Sequence, residues 1–182
     1  AKKVKGIAFY GEAKKELAHP EMVDKLWKEI RELGKDDPGV KRYYNEGTIQ
    51  MARVQNKAGA FPSKYWSQGS CGHWEKISGE TQAELETKRG GLATHGCHRG
   101  CIIQCSGIYV DKDGNYITKQ PEYETVWAHG GNCGIDDLDA VAQLDRMDDD
   151  FGLDTIEMGA TIAVAMKAGI AQLGHAEAAI NL

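Results

Sequence analysis

Apolar residues recur at helical spacing along most of the chain. After His19-Pro20, residues Val23, Leu26, Trp27, Ile30 and Leu33 fall three or four apart, Pro20 suits the first helical position and Gly34 can end the helix. Asp36-Asp37-Pro38-Gly39 predicts a turn, with a short helix following over residues 40–44. Thr48 predicts the cap of a helix that carries Ile49, Met51, Ala52 and Val54 to about Lys57. Ser78 caps a polar helix over 79–88, which Arg89-Gly90-Gly91 closes. Pro121 starts a short helix toward Trp127, and Asp136 or Asp137 caps one bearing Leu138, Val141, Leu144 and Met147. Helices over 155–167 and after Gly174 complete the set.

Strand signals are confined to one place. Ile108-Tyr109-Val110 and Tyr116-Ile117-Thr118 flank Asp111-Lys112-Asp113-Gly114-Asn115, a hairpin with its turn residues in place. Residues 4–11 suit a strand or an extended lead-in, with no strand partner nearby, and residues 59–78, rich in Gly, Ser and aromatics and lacking a period, read as a long ordered loop. The pattern as a whole predicts a mainly α, multihelical single domain over 1–182 with one small β-hairpin.

Charge and composition narrow the function classes. With 22 Lys or Arg against 27 Asp or Glu the formal charge is −5, which disfavours nucleic acid as a partner. At 41% hydrophobic and 27% charged residues the chain can bury a core and is not of disordered type. No apolar run approaches the roughly 20 residues of a membrane span, and the first residues lack the apolar stretch of a secretory signal, so no membrane partner and a cytoplasmic location are expected. Five cysteines cannot all pair within one chain, and in a reducing compartment a crowd of three points to metal rather than disulfides.

That crowd is Gly96-Cys97-His98-Arg99-Gly100-Cys101-Ile102-Ile103-Gln104-Cys105. Residues at i, i+4 and i+8 could align their sulfurs along one helical stripe or wrap a centre from a distorted turn, and soft thiolates select zinc or iron–sulfur clusters. Three buried, unrelated cysteines are the plain alternative. A fourth ligand could come from Cys71 or Cys133. Asp148-Asp149-Asp150-Phe151-Gly152-Leu153-Asp154 places a glycine turn between carboxylates at a junction of two helices, either an acidic helix end with its cap or a surface for the amino and ring N–H donors of a pterin. In Pro121-Glu122-Tyr123-Glu124, Glu124 falls in a first helical turn, where an exposed carboxylate is comfortable.

Together these motifs resemble the tungsten-dependent aldehyde:ferredoxin oxidoreductases. The resemblance rests on Asp149-x-x-Gly152-Leu153-Asp154-Thr155-Ile156-Glu157-x-Gly159, on Glu122-Tyr123-Glu124-Thr125 followed by Asn132-Cys133-Gly134-Ile135-Asp136-Asp137-Leu138, on the triple-cysteine run, and on Lys3-Val4-Lys5-Gly6-Ile7-Ala8. It implies the middle, helical portion of a longer enzyme, in a divergent branch with Cys-x3-Cys-x3-Cys spacing. It further implies a [4Fe-4S] cluster held by Cys97, Cys101 and Cys105, and a tungsten bis-pterin contacted through Asp149, Gly152, Leu153 and Asp154. Tyr123 and Glu124 would be catalytic, with Glu124 moving a proton. The implied partners are ferredoxin or an iron–sulfur electron-transfer subunit, and further domains of the same enzyme before Ala1 and after Leu182. The implied reaction oxidises an aldehyde to a carboxylic acid. Cys133 would be a tungsten ligand if the chain followed the benzoyl-coenzyme A reductase branch. A freestanding iron–sulfur or zinc electron-transfer module is the competing expectation.

Overall fold

The structure, a computed structural model, describes residue 4, residues 6–14 and residues 16–182. Of the expected lead-in over 1–11, residues 1–3 and 5 lie outside the described residues; the described part forms no strand, and Phe9 and Tyr10 are exposed.

Among the described residues, eight α-helices and a three-stranded antiparallel sheet make up the fold. In chain order they are α1 (Pro20–Lys35), α2 (Pro38–Glu46), α3 (Gln50–Lys57), α4 (Gly79–Arg89), β1 (Leu92–His95), β2 (Ser106–Val110), β3 (Tyr116–Lys119), α5 (Tyr123–Thr125), α6 (Leu138–Phe151), α7 (Thr155–Lys167) and α8 (Ala176–Ile180). The chain is mainly α, as its periodicity predicts. The helix ends follow local chemistry. Asp37 accepts from the Val40 amide, Ser78 from Thr81, Asp137 from Asp139, and Asp154 from Ile156 and Glu157. Gly90 and Gly152 close α4 and α6 in the left-handed conformation.

Two features depart from the sequence reading. The sheet has a third strand, β1, paired to β2 from Leu92 opposite Ile108 to His95 opposite Ser106, so the hairpin is extended on one side. Thr48 caps no helix: α3 begins at Gln50 and the Thr48 hydroxyl is engaged elsewhere.

The core gathers Ile49, Phe61, Ile77, Tyr109, Val126, Ile135, Val141 and Ile162. A π-helical stretch, Val126–Gly130, runs through it, and its backbone is approached closely from two sides. A methyl group on Gly131 would stand 2.2 Å from the Phe61 ring, and one on Gly159 would stand 2.7 Å from Ala128. Gly159 of the last motif is therefore a packing residue that lets α7 lie against the π stretch. Gly159→Ala should overpack this seam at a cost of about 1–3 kcal/mol; a lowered thermal midpoint is the expected result, and an unchanged one would refute the close approach.

The 59–78 segment is ordered around a short 3-10 turn, Trp74–Ile77, and a left-handed turn at Lys64, Tyr65 and Trp66 with φ of 48°, 54° and 57°. Amides of Lys64 and Tyr65 donate to the carbonyls of Gly131 and Asn132 at 3.0 and 2.7 Å, offsetting the cost of that conformation. Helix α1 forms as its pattern predicts, but Leu26, Ile30 and Leu33 of its apolar face are exposed. No helix among the described residues is long and apolar enough to cross a membrane.

Candidate functional site

The three crowded cysteines lie in no helix. They occupy the loop that joins β1 to β2, and its ends are held together by the pairing of His95 with Ser106 and a bridge from His95 to Cys105. Gly100 at φ +88° and Gln104 at φ +49° break any helical path, so the sulfurs come from a closed loop rather than from one stripe. Cys97 is exposed, and Cys101 and Cys105 are partly buried. The Gln104 amide donates to Cys101 Sγ at 3.4 Å. Burial pushes the Cys105 thiol up, with Glu122 and then the Cys101 and Cys97 sulfurs adding to the shift. Among the described residues no three His, Cys, Asp or Glu side chains close around a single metal ion.

Cys133 lies elsewhere. It is fully buried in the core, its Sγ donates to the carbonyls of Ala128 and Gly159 at 3.4 and 3.5 Å, and burial pushes its thiol up to about 12. These are the surroundings of a packing residue. Cys71 is partly buried, its amide bonded to Asn56 Oδ1, and it packs against the edge of the core.

The acidic turn is the junction of α6 and α7. Gly152, at φ +70°, ends α6, and the Leu153 amide donates to Asp148 O at 2.8 Å. Asp154 accepts both of its α7 bonds on Oδ1 at 3.0 Å, and the residue is exposed. Asp149, Gly152, Leu153 and Asp154 are all exposed, on one turn, as a ligand-contacting edge would require.

A buried polar network ties this turn to the Glu122-Tyr123-Glu124 stretch. Asp145, fully buried on α6, accepts from Lys119 Nζ at 2.9 Å, Thr118 Oγ1 at 2.7 Å and Thr125 Oγ1 at 3.3 Å. Lys119 also reaches Asp149 at 3.1 Å, and Thr125 meets Thr155 at 3.3 Å. Burial works against the Lys119 ammonium, but its two carboxylate partners outweigh that and raise its pKa. One lysine and three threonines therefore fix β3, α5, α6 and α7 relative to one another. Sequence reasoning missed Lys119 and Asp145, since nothing local links residues 26 apart.

Tyr123 packs edge-on against Phe61 with centroids 6.2 Å apart, and burial followed by the Glu124 charge pushes its hydroxyl up to about 12. Glu124 is exposed. The carboxylate that burial lifts in this stretch is Glu122; Glu124 adds to the effect, while the Thr48 hydroxyl and Lys119 oppose it. Thr48 Oγ1 donates to Glu122 Oε2 at 2.5 Å and accepts from the Tyr123 amide at 2.9 Å, anchoring the stretch at its start. A methyl group on Gly47 would stand 3.1 Å from the Cys105 carbonyl oxygen, the next residue, Thr48, holds Glu122, and Lys119 reaches Asp149 at 3.1 Å, so the base of the cysteine loop, the Glu122–Glu124 stretch and the acidic turn are linked in space.

Comparison with known proteins gives the family along most of the chain. The family model described as aldehyde ferredoxin oxidoreductase, domains 2 and 3, matches residues 25–178. The tungsten-containing aldehyde ferredoxin oxidoreductase of Thermococcus kodakarensis is 31% identical over 171 residues, covering 92% of this chain and 27% of its own length. That of Pyrococcus furiosus is 31% identical over 180 residues, covering 96% of this chain and 28% of its own. The chain thus spans little more than a quarter of the length of these curated relatives.

Proposed function

Because the chain belongs to the aldehyde ferredoxin oxidoreductase family, we propose that it is the middle portion of a tungsten-dependent oxidoreductase that oxidises an aldehyde and passes electrons to ferredoxin or a similar subunit. In this reading residues 1–182 form one helical domain between the cluster and a pterin. The observation that carries it is the loop closed by the β1–β2 pairing, which brings Cys97, Cys101 and Cys105 into one short segment with the Gln104 amide on the middle sulfur.

Cys97, Cys101 and Cys105 would hold a [4Fe-4S] cluster, and the donor set suits it, since thiolates are the usual ligands of such clusters. The exposed turn carrying Asp149, Gly152, Leu153 and Asp154 would hold a tungsten pterin, its carboxylates accepting from ring and amino N–H groups. When bound, the tungsten pterin supplies the two-electron redox change and the cluster single-electron transfer. The chain's own residues do the rest. Lys119 and Asp145 fix the turn, Tyr123 would reach the substrate beside Glu124, and Glu124 would take a proton as water adds to the aldehyde carbonyl; conversion to the acid releases two electrons and two protons. In this reading Cys133, buried and donating its S–H to two carbonyls, serves packing rather than tungsten ligation.

Metal analysis of the full-length protein, purified without oxygen, tests the reading. Tungsten with about four irons per chain and aldehyde-dependent reduction of a dye are expected; iron or zinc without tungsten would overturn it. Glu124→Gln should lower turnover by about 100-fold or more while tungsten and iron stay bound. Undiminished turnover would exclude Glu124 as the proton carrier.

A further inference from the structure

A groove of about 820 Å³ lies between α1, α2 and the cysteine loop, and Cys101 is among its lining residues. Its wall is aromatic and cationic. Gly100 lets the loop meet Trp27, whose indole nitrogen would stand 2.9 Å from a methyl group placed on that glycine. The Arg31 guanidinium lies 4.6 Å from the centre of the Trp27 ring. Lys28, Arg31 and Lys35 line the groove, and none of them forms an ion pair among the described residues, whereas Lys41 is paired with Asp36 at 2.9 Å. Glu32 is the sole carboxylate among the lining residues. On a chain whose formal charge is −5, this is a local reversal of sign placed beside a candidate cluster ligand.

We propose that this groove is the docking surface for an acidic one-electron carrier protein of the ferredoxin class, seated with its redox centre toward Cys101. The inference rests on the reading of Cys97, Cys101 and Cys105 as cluster ligands. Electron transfer between proteins requires their centres to approach closely, and among the described residues the groove is where Cys101 meets an open surface of complementary charge. Unpaired lysines and an arginine steer an acidic partner and fix its register, and a half-exposed tryptophan with a stacked arginine is the kind of anchor that dominates small interfaces. Electron-transfer complexes are small and transient, which a groove of this size can serve. A second copy of this chain, itself net acidic, and another segment of the same polypeptide are the rival occupants.

The test uses the full-length, metal-loaded enzyme and a purified acidic [4Fe-4S] ferredoxin as probe, with binding followed by titration calorimetry at low and high salt. Wild-type binding should weaken steeply with salt. The double variant Arg31→Glu, Lys35→Glu should raise the low-salt Kd at least tenfold and flatten the salt dependence, with iron content and visible absorption unchanged. Lys28→Gln, a milder exposed change, should raise Kd by about threefold. An unchanged Kd in both variants overturns the docking site while leaving the iron–sulfur reading intact. A lowered thermal midpoint or a changed oligomeric state with unchanged Kd overturns it too, by assigning the groove to the rest of the polypeptide or to a second copy. A wild-type enzyme without iron removes the underlying reading and the inference with it.

Discussion

Cys101→Ser is expected to strip the protein of its iron and of the broad visible absorption that an iron–sulfur cluster gives. Cys101 is the middle sulfur of a loop closed by the β1–β2 pairing, it receives the Gln104 amide at 3.4 Å, and it opens onto the groove under α1. A hydroxyl in its place is a hard ligand with a far higher pKa than a thiol, so it neither ionises nor binds iron in the same way. Cys133→Ser is the matched control. That thiol is buried, donates to the carbonyls of Ala128 and Gly159 and takes no part in the loop, so a serine hydroxyl can make the same bonds and iron should be retained. Optical spectra and iron analysis of the two full-length variants, prepared side by side, decide the matter. Full iron in Cys101→Ser, or its loss only in Cys133→Ser, would sink the assignment of the loop.

The contrast between these two cysteines also shows how far the sequence could be read. Spacing alone marked the three crowded cysteines as a group, but it allowed a helical stripe; Gly100 and Gln104, both at positive φ, make the segment a loop, and only the strand pairing at its base brings the ends together. Helix boundaries were legible wherever a side chain satisfies the backbone locally, as Ser78 does for α4, Asp137 for α6 and Asp154 for α7. They were not legible where a partner distant in sequence competes. Thr48 has the chemistry of a cap, yet its hydroxyl goes to Glu122, 74 residues away. The strand β1, Leu-Ala-Thr-His, has neither alternation nor strong β-propensity, and it exists because β2 offers it a ladder. The amphipathic pattern of α1 identified a face suited to burial but carried no information on what would cover it; among the described residues Leu33 remains 79% exposed. The site follows the same division. The motif residues Asp149, Gly152, Leu153 and Asp154 could be listed from the chain, whereas Asp145 and Lys119, which hold that turn against Thr125, are joined only through space.

Glu86 should make stability fall as pH rises, and Glu86→Gln should abolish that dependence. The side chain is fully buried on α4, one helical turn from the equally buried Gln82, and neither of its carboxylate oxygens meets a hydrogen-bond partner among the described residues. Burial alone pushes its pKa from 4.5 to about 8. Below pH 4.5 the folded and unfolded chains both hold the proton, and Glu86 contributes no pH dependence. Between 4.5 and 8 the unfolded chain releases a proton that the folded chain keeps, so the folded state binds more protons and stability declines with rising pH. Above 8 both states are ionised and the loss is complete, amounting to about 4–5 kcal/mol at 1.36 kcal/mol per pH unit over the interval from 4.5 to about 8. Glutamine is close in shape to the protonated acid and has no proton to lose. The thermal midpoints of Glu86→Gln and wild type should therefore lie close together near pH 5 and separate steadily toward pH 8.5, with the variant higher. A difference that stays constant across that range would mean that Glu86 is not a buried acid held in its neutral form, and that a partner for its charge has to be sought on the faces of α4 that pack against α2 and β1.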